Sequence, residues 1–250
     1  MELQQVADRY AEAIEEVDLK VNRAGVNSRT GIAYWPGFKS LKEARAVQMI
    51  DEAWSSLHPG EMSSHRTSVS YPHVQGASCD HVVTTDDSNQ DADEWGVEVK
   101  RLQFVGDNGK ENGYQVGKVL SPYLKDRGVL HDAARLREHG FTRRVAVIGY
   151  SFDYDADSLQ KAERRHQSTE SRAVLAEVSK VVKKNGGALL TRPLIEFADA
   201  ILVLRGFTTG PRAQSAFRAW RHPAGGRGVV FGWEVRRPHL EQHYDPRHPW

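Results

Sequence analysis

The sequence predicts an α/β protein in which a mixed central sheet is flanked by helices. Three observations indicate this class: an apolar segment at residues 144–152 that is typical of a central strand, two shorter strand-like segments before it, and helical spacing of apolar residues on both sides. The chain has 250 residues, of which 39% are hydrophobic and 27% charged, as in globular proteins. Because no repeat and no clear linker interrupt it, a single domain over residues 1–250 is the simplest account.

Two amphipathic helices are predicted to form an N-terminal cap over about residues 1–60. Apolar residues recur at helical spacing over about residues 3–21. Ser40 is followed three positions later by Glu43, as in a capping box, and this pair predicts a second helix that ends near Leu57.

Strands and helices alternate in the rest of the chain. A polar stretch runs to about Ala77, after which Asp80 to Thr85 and Trp95 to Phe104 are predicted strands. The further predicted elements are a helix over most of residues 117–138, the strand at 144–152, a long charged helix at 158–184, a helix or strand at about 194–204 and a strand at 227–237.

Composition excludes several kinds of protein. Cys79 is the only cysteine, so neither an internal disulfide nor a cysteine-based zinc site can form. No apolar run approaches the roughly 18 residues of a membrane span. The first residues do not have the pattern of a secretory signal. We therefore expect a cytoplasmic protein.

Charge is unevenly distributed although the net charge is only +1. Residues 78–99 contain seven acidic residues and no lysine or arginine, whereas residues 201–250 contain eight arginines and three acidic residues. An acidic site beside a basic C-terminal region, about residues 190–250, suits a metal centre that holds a polyanion. Ordinary variation of charge along a chain explains the pattern equally well.

The segment from Trp95 to Lys100 carries the most informative pattern. Side chains alternate between the faces of a strand, so Trp95, Val97 and Val99 are predicted to point into a core. Glu98 and Lys100 then share the opposite, open face. An acid and a base together on a strand are either a solvated pair or a functional one.

Phosphodiester hydrolysis requires these residue types. A divalent metal neutralises the phosphate and lowers the pKa of an attacking water. Mg²⁺ prefers oxygen ligands and keeps several waters, so two carboxylates are enough protein ligands. Asp80 and Glu98 can supply the carboxylates and Val99 a main-chain carbonyl, while Lys100 can orient the water and stabilise the developing charge.

Asp80 is followed by seventeen residues and then by Glu98-Val99-Lys100. This pattern resembles the PD-(D/E)xK signature of the restriction-endonuclease-like superfamily. The predicted order of helix, strand, strand, helix and strand over about residues 40–152 also resembles that family's catalytic core. The resemblance implies a restriction-endonuclease-like core, metal-dependent cleavage of DNA and a homodimer. It also implies that Glu43 or Glu52 could add a carboxylate.

The match to the family departs at one position and is ambiguous at another. Cys79 stands where the signature has proline. Asp80 is preferred as the first carboxylate because apolar strand residues follow it directly. The alternatives are Asp86, Asp87, Asp91 and Asp93.

The sequence thus predicts a Mg²⁺-dependent endonuclease that acts on double-stranded DNA, with restriction-type defence as its biology. Lys118, Arg218, Arg221 and Arg227 are candidate DNA-binding residues, and His131 is a candidate supporting residue.

Three alternatives remain open. The first is a non-catalytic nucleic-acid-binding protein with the same fold, and the second is a DNA-repair nuclease. The third is an unrelated α/β protein in which Glu98 and Lys100 form a surface pair.

Overall fold

A computed structural model describes residues 1–22, 25–26, 31, 33–61, 64–72, 74–84, 94–121, 123–207 and 211–236. The alternatives to Asp80 as first carboxylate, Asp86, Asp87, Asp91 and Asp93, lie outside these residues, as does the end of the basic C-terminal region. Among the described residues, apolar side chains from both halves of the chain share one hydrophobic core.

Helices account for most of the described residues outside the sheet. No helix in the described ranges is long and apolar enough to cross a membrane. Two short 3-10 turns, Phe38–Ser40 and Leu124–Asp126, precede α2 and α4. The α-helices are α1 (Leu3–Lys20), α2 (Glu43–Leu57), α3 (Gly113–Val119), α4 (Val129–His139), α5 (Ala156–Arg165), α6 (Thr169–Lys184) and α7 (Thr191–Leu204).

The described strands form a six-stranded mixed sheet with the order β1-β2-β3-β4-β6-β5. Strands β3 and β4 run parallel, and every other neighbouring pair is antiparallel. This sheet, with helices on its faces, confirms the predicted α/β class. The strands are β1 (Ser64–Ser70), β2 (Ser78–Thr84), β3 (Glu94–Leu102), β4 (Arg144–Phe152), β5 (Ala213–Ala219) and β6 (Gly226–Glu234).

The polar stretch before Ala77 contains a strand that the sequence did not predict. Strand β1 has the sequence SHRTSVS and lies at the edge of the sheet, paired only with β2. Its half-buried positions are His65, Thr67 and Val69, only one of which is apolar, so the apolar alternation that identifies inner strands is missing from it. The turn between β1 and β2 leads directly into the strand that carries Asp80.

Three predicted helix boundaries were wrong. The capping box at Ser40 does not form, because α2 begins at Glu43 after Lys42 and Ser40 lies in the preceding 3-10 turn. The predicted helix at 117–138 is divided into α3 and α4, and Arg127 at the junction has a positive φ of 54°. The predicted helix at 158–184 is divided into α5 and α6, with Ser168 capping the second.

The two faces of the sheet are covered by different helices. Helices α1 and α2 pack on one face, and α4 and α7 pack on the other. On the first face, His81 of β2 is fully buried between Tyr10 Oη, 2.7 Å from its Nδ1, and Asp51 Oδ1, 2.8 Å from its Nε2. Asp51 also contacts His65 of β1. These contacts hold one face of β2 against α1 and α2. Because side chains alternate along a strand, the neighbouring Asp80 points to the opposite face, towards α4.

A buried lysine connects the segment before α2 to the loop after β3. Lys39 is 2% exposed, and its Nζ donates to the carbonyl of Val105 at 2.9 Å. Burial lowers the pKa of Lys39 to about 7, although Asp107 nearby acts in the opposite direction. Arg101 extends the same connection by donating to the carbonyl of Leu41 at 2.8 Å. The start of α2 is thereby held against β3.

We expect Lys39 to make stability depend on pH in the alkaline range. Between a folded pKa of about 7 and the ordinary value of 10.5, the unfolded chain binds more protons at Lys39 than the folded chain does. The free energy of unfolding should therefore rise with pH across this window, by about 1 kcal/mol per pH unit relative to Lys39→Met. Urea unfolding at several pH values measures the difference, with Lys42→Met at an exposed neighbour as the control. Parallel pH profiles for the parent and Lys39→Met would contradict the assignment.

Candidate active site

The antiparallel pairing of β2 with β3 brings Asp80 next to Glu98. His81 pairs with Val97, and continuing the same register by one residue sets Asp80 opposite Glu98. The Asp80 carboxylate accepts a hydrogen bond from the main-chain N–H of Val99 at 2.8 Å. This carboxylate thus takes the place of a main-chain acceptor on the β2 side of β3.

The apolar side of β3 is as predicted. Trp95, Val97 and Val99 are fully buried. Cys79 is also buried, and burial raises the pKa of its thiol to about 12. A buried thiol with a raised pKa is a core residue and not a nucleophile.

The opposite side of β3 is not the open face that the sequence suggested. Glu98 is only 1% exposed because α4 covers it. Its Oε2 lies 2.8 Å from the guanidinium of Arg135, and its Oε1 accepts a hydrogen bond from the hydroxyl of Tyr71. Both carboxylate oxygens of Glu98 therefore have partners within the protein.

Lys100 is paired with a second residue of α4. Its Nζ lies 2.6 Å from Oδ2 of Asp132, which is 1% exposed. Arg135, one helical turn further on, also lies 3.1 Å from Oδ1 of Asp132. Two ion pairs joined through Arg135 therefore neutralise much of the charge that β3 presents to α4.

Burial and mutual repulsion shift the acids of this network. Burial, together with the nearby charges of Asp132 and Asp80, raises the pKa of Glu98 to about 9 against the effect of Arg135. Burial also raises the pKa of Asp132, against the effect of Lys100. Burial lowers the pKa of Lys100, but Asp132 and Glu43 outweigh it and the net shift is upward. The raised pKa values of Glu98 and Asp132 mean that a bound cation would favour the ionised forms of both acids.

These residues line a cleft of about 610 Å³, which we call the active-site cleft. The turn between β1 and β2 forms one wall and α4 forms the other. Its charged lining includes Asp80, Glu98, Lys100, Arg127, Asp132 and Arg135. The three residues that the sequence singled out therefore reach one concave surface.

The supporting residues are only partly brought together. Glu43 lies close to Lys100 and accepts a hydrogen bond from the main-chain N–H of Arg101 at 3.1 Å. His131 lines the active-site cleft. Glu52 does not reach the site, because it is exposed on the outer side of α2 and pairs with Arg45 at 3.5 Å.

The candidate DNA-binding residues divide into two groups. Lys118 is exposed and lines clefts beside the active-site cleft. Arg218 and Arg227 face each other on β5 and β6, at the far edge of the sheet from β2. Arg227 is paired with Asp155 at 2.6 Å, and Arg221 donates to the carbonyl of Leu19. Of Arg218, Arg221 and Arg227, only Arg218 is exposed.

Asp132 and Arg135 are the site residues that the sequence did not reveal. An acid and a base three positions apart on a helix are the usual pattern of a solvated surface, so nothing local identifies them as partners of β3. Their role follows only from the packing of α4 across the strand.

We expect Arg135 to stabilise the fold through Glu98. Arg135→Met removes charge-assisted hydrogen bonds to two buried carboxyl groups and should lower the free energy of unfolding by about 2 kcal/mol. Combining it with Glu98→Gln should cost less than the sum of the single changes, because the two side chains interact directly. Urea unfolding gives all three values, and Arg164→Met at an exposed arginine of α5 is the control. Strictly additive effects would argue against the contact.

Comparison of the chain with known proteins finds no relative. No family model matches it, no curated protein is significantly similar in sequence, and no solved structure is significantly similar in fold. The residues of the active-site cleft are therefore the features from which a function can be inferred.

Proposed function

We propose that the protein is a metal-dependent endonuclease that hydrolyses phosphodiester bonds of DNA. One observation carries the proposal: Asp80, Glu98 and Lys100, from two adjacent strands, line one cleft. Two carboxylates and an amine in a cleft are suited to metal-dependent phosphodiester hydrolysis.

The order of elements around the cleft supports a restriction-endonuclease-like core. Helix α2, strands β2 and β3, helix α4 and strand β4 follow each other in the order that the sequence resemblance implies. The parallel pairing of β3 with β4 requires the chain to cross over a face of the sheet between them, and α4 makes that crossing. A homodimer and restriction-type defence are further parts of the proposal that come from the resemblance.

The chemistry of the donor set fits a divalent cation held by few protein ligands. The described residues contain no group of three or more histidine, cysteine, aspartate or glutamate side chains arranged to hold a metal ion. Mg²⁺ does not require one, because it keeps several of its waters. Asp80 and Glu98 would hold the ion, with the carbonyl of Val99 as a further donor. When bound, the ion lowers the pKa of a water and neutralises charge on the phosphate.

The charges of the site agree with this assignment. When fully ionised, Asp80, Glu98 and Asp132 contribute three negative charges, and Lys100 and Arg135 contribute two positive ones. The remaining negative charge, in a largely buried site, favours a cation. The pKa of Glu98 is raised first by burial and then by the charges of Asp132 and Asp80.

Lys100 and Asp132 have distinct roles in the proposed reaction. The Nζ of Lys100 can donate hydrogen bonds to the attacking water and to the phosphate oxygen on which charge develops. Asp132 is a positioning residue, because its carboxylate fixes the direction of Lys100 from 2.6 Å. Arg135 is likewise a positioning residue, because it orients the carboxylate of Glu98. A bound ion would share that carboxylate with Arg135.

A nucleic-acid-binding protein without catalysis is the second candidate. The observation that favours it is that both oxygens of Glu98 and the amine of Lys100 already have partners in the protein. A network of this kind stabilises a fold without any reaction. A cleavage assay separates the two candidates.

We expect Lys100→Ala to lower the cleavage rate strongly while the protein remains folded. Loss of a single donor to the developing charge lowers the rate about 100-fold or more. The assay uses unmodified, cytosine-methylated and adenine-methylated DNA, with Mg²⁺ or with EDTA, and gel analysis of the fragments. Lys161→Ala, at an exposed lysine of α5, is the matched control.

Each outcome of this assay has a defined meaning. Fragments that require Mg²⁺ and disappear with Lys100→Ala support the nuclease and the role of Lys100. Parental cleavage by Lys100→Ala, with an unchanged melting temperature, would remove Lys100 from the mechanism. Binding of DNA without cleavage of any substrate would favour the second candidate.

A further inference from the structure

Arg127 lies where three clefts meet. It lines the active-site cleft, and it also lines two neighbouring openings. The lateral cleft, of about 340 Å³, includes Glu43, Lys100 and Lys118. The outer cleft, of about 610 Å³, includes Lys118 and Lys125. A chain-like ligand that leaves the active-site cleft on this side must pass Arg127.

The backbone holds Arg127 at this junction in an unfavourable conformation. Its φ of 54° lies in the left-handed region, where a residue other than glycine costs about 1 kcal/mol or more. The next residue, Gly128, packs closely on α3, since a Cβ at that position would lie 2.4 Å from the carbonyl oxygen of Val119. The start of α4 is thus pressed against the end of α3, and Arg127 is fixed beside Lys118.

The guanidinium of Arg127 is available for a ligand. The residue is exposed, and it forms no ion pair with any other described residue. Elsewhere many arginines of this protein are already engaged, as Arg135, Arg144 and Arg227 are. An exposed arginine whose backbone is held between clefts is suited to bidentate contact with a phosphate.

Charge changes sign between the active-site cleft and the other two. The active-site cleft has four carboxylates against three lysines and arginines. The lateral and outer clefts together have two carboxylates, Glu43 and Asp126, against five lysines and arginines. The five are Lys100, Arg101, Lys118, Lys125 and Arg127. A polyanion is therefore attracted along these two clefts and directed towards Lys100.

An exposed aromatic ring lies at the end of this path. Tyr123 is 63% exposed, and the Nζ of Lys125 lies 5.8 Å from the centre of its ring. Basic residues interspersed with an exposed aromatic are typical of surfaces that bind single-stranded nucleic acid, because every base offers a face for stacking. The ring distinguishes a nucleic acid from other polyanions.

We propose that Arg127, Lys118, Lys125 and Tyr123 form a strand-binding surface for an unpaired segment of nucleic acid. Arg127, with Lys118 beside it, binds a backbone phosphate, and Tyr123 stacks on a base. The proposal depends on the proposed nuclease only for the position of the scissile phosphate at Lys100. It adds that the substrate has a single-stranded stretch on one side of the cut.

Binding in EDTA tests this surface without any cleavage. The probe is a fluorescently labelled single-stranded DNA of 12 nucleotides, compared with the duplex of the same sequence by fluorescence anisotropy. Arg127→Gly removes the guanidinium and tolerates the positive φ. We expect it to weaken single-strand binding about tenfold. It should also reduce the slope of log K against log salt by about 0.7, the value for one phosphate contact.

Two further variants make the test specific. Arg164→Gly, in a cleft of about 510 Å³ between α5 and α6, is the matched control and should bind as the parent does. Tyr123→Ala should weaken single-strand binding about fivefold or more, whereas Tyr123→Phe should retain it, because stacking needs only the ring.

The strand-binding surface and the nuclease fail in different ways. Equal binding by Arg127→Gly and Arg164→Gly would overturn the surface even if the parent cleaves DNA. Tighter binding of the duplex, unaffected by Tyr123→Ala, would also overturn it. Loss of single-strand binding with Arg127→Gly would uphold the surface even if no cleavage is seen.

Discussion

The burial of Glu98 and Lys100 under α4 is the constraint on which the site depends. A strand that points charged side chains at a helix is unstable unless the helix supplies opposite charges at matching positions. Glu98 and Lys100 are about 6.7 Å apart along β3, and residues three apart on a helix are about 4.5 Å apart along its axis. The long side chains of Lys100 and Arg135 bridge that mismatch, so Asp132 and Arg135 reach their partners at 2.6 and 2.8 Å.

The topology explains why α4 is available for this task. Strand β4 is buried along nearly its whole length, and such a strand is stable only with neighbours on both sides and cover on both faces. Pairing β4 parallel to β3 requires a crossover, and a helical crossover must pack on the sheet. Strand β6 from the C-terminal third fills the other side of β4. The basic C-terminal region is therefore part of the sheet as well as a source of arginines.

The sequence predicted the parts of the fold that have a regular apolar pattern. Strands β2, β3 and β4 were found because apolar residues alternate in them or run without a break. Strand β1 was missed because an edge strand needs no such pattern, and β5 because its sequence, AQSAFRA, is short and half polar. Asp80, Glu98 and Lys100 could be named because strand alternation and a family signature are local. Asp132 and Arg135 could not, because only the packing of α4 distinguishes them from surface residues.

The same helix joins the proposed chemistry to the proposed strand-binding surface. Asp132 lies in the first turn of α4, where its main-chain N–H bonds to the carbonyl of Gly128 at 3.1 Å. Gly128 is fixed against α3, and Arg127 precedes it directly. One rigid turn of the chain therefore connects Arg127, which would bind a phosphate, to Asp132, whose carboxylate positions Lys100. No loop lies between the two residues. The close packing of Gly128 on α3 therefore fixes both the position of the bound strand and the position of Lys100.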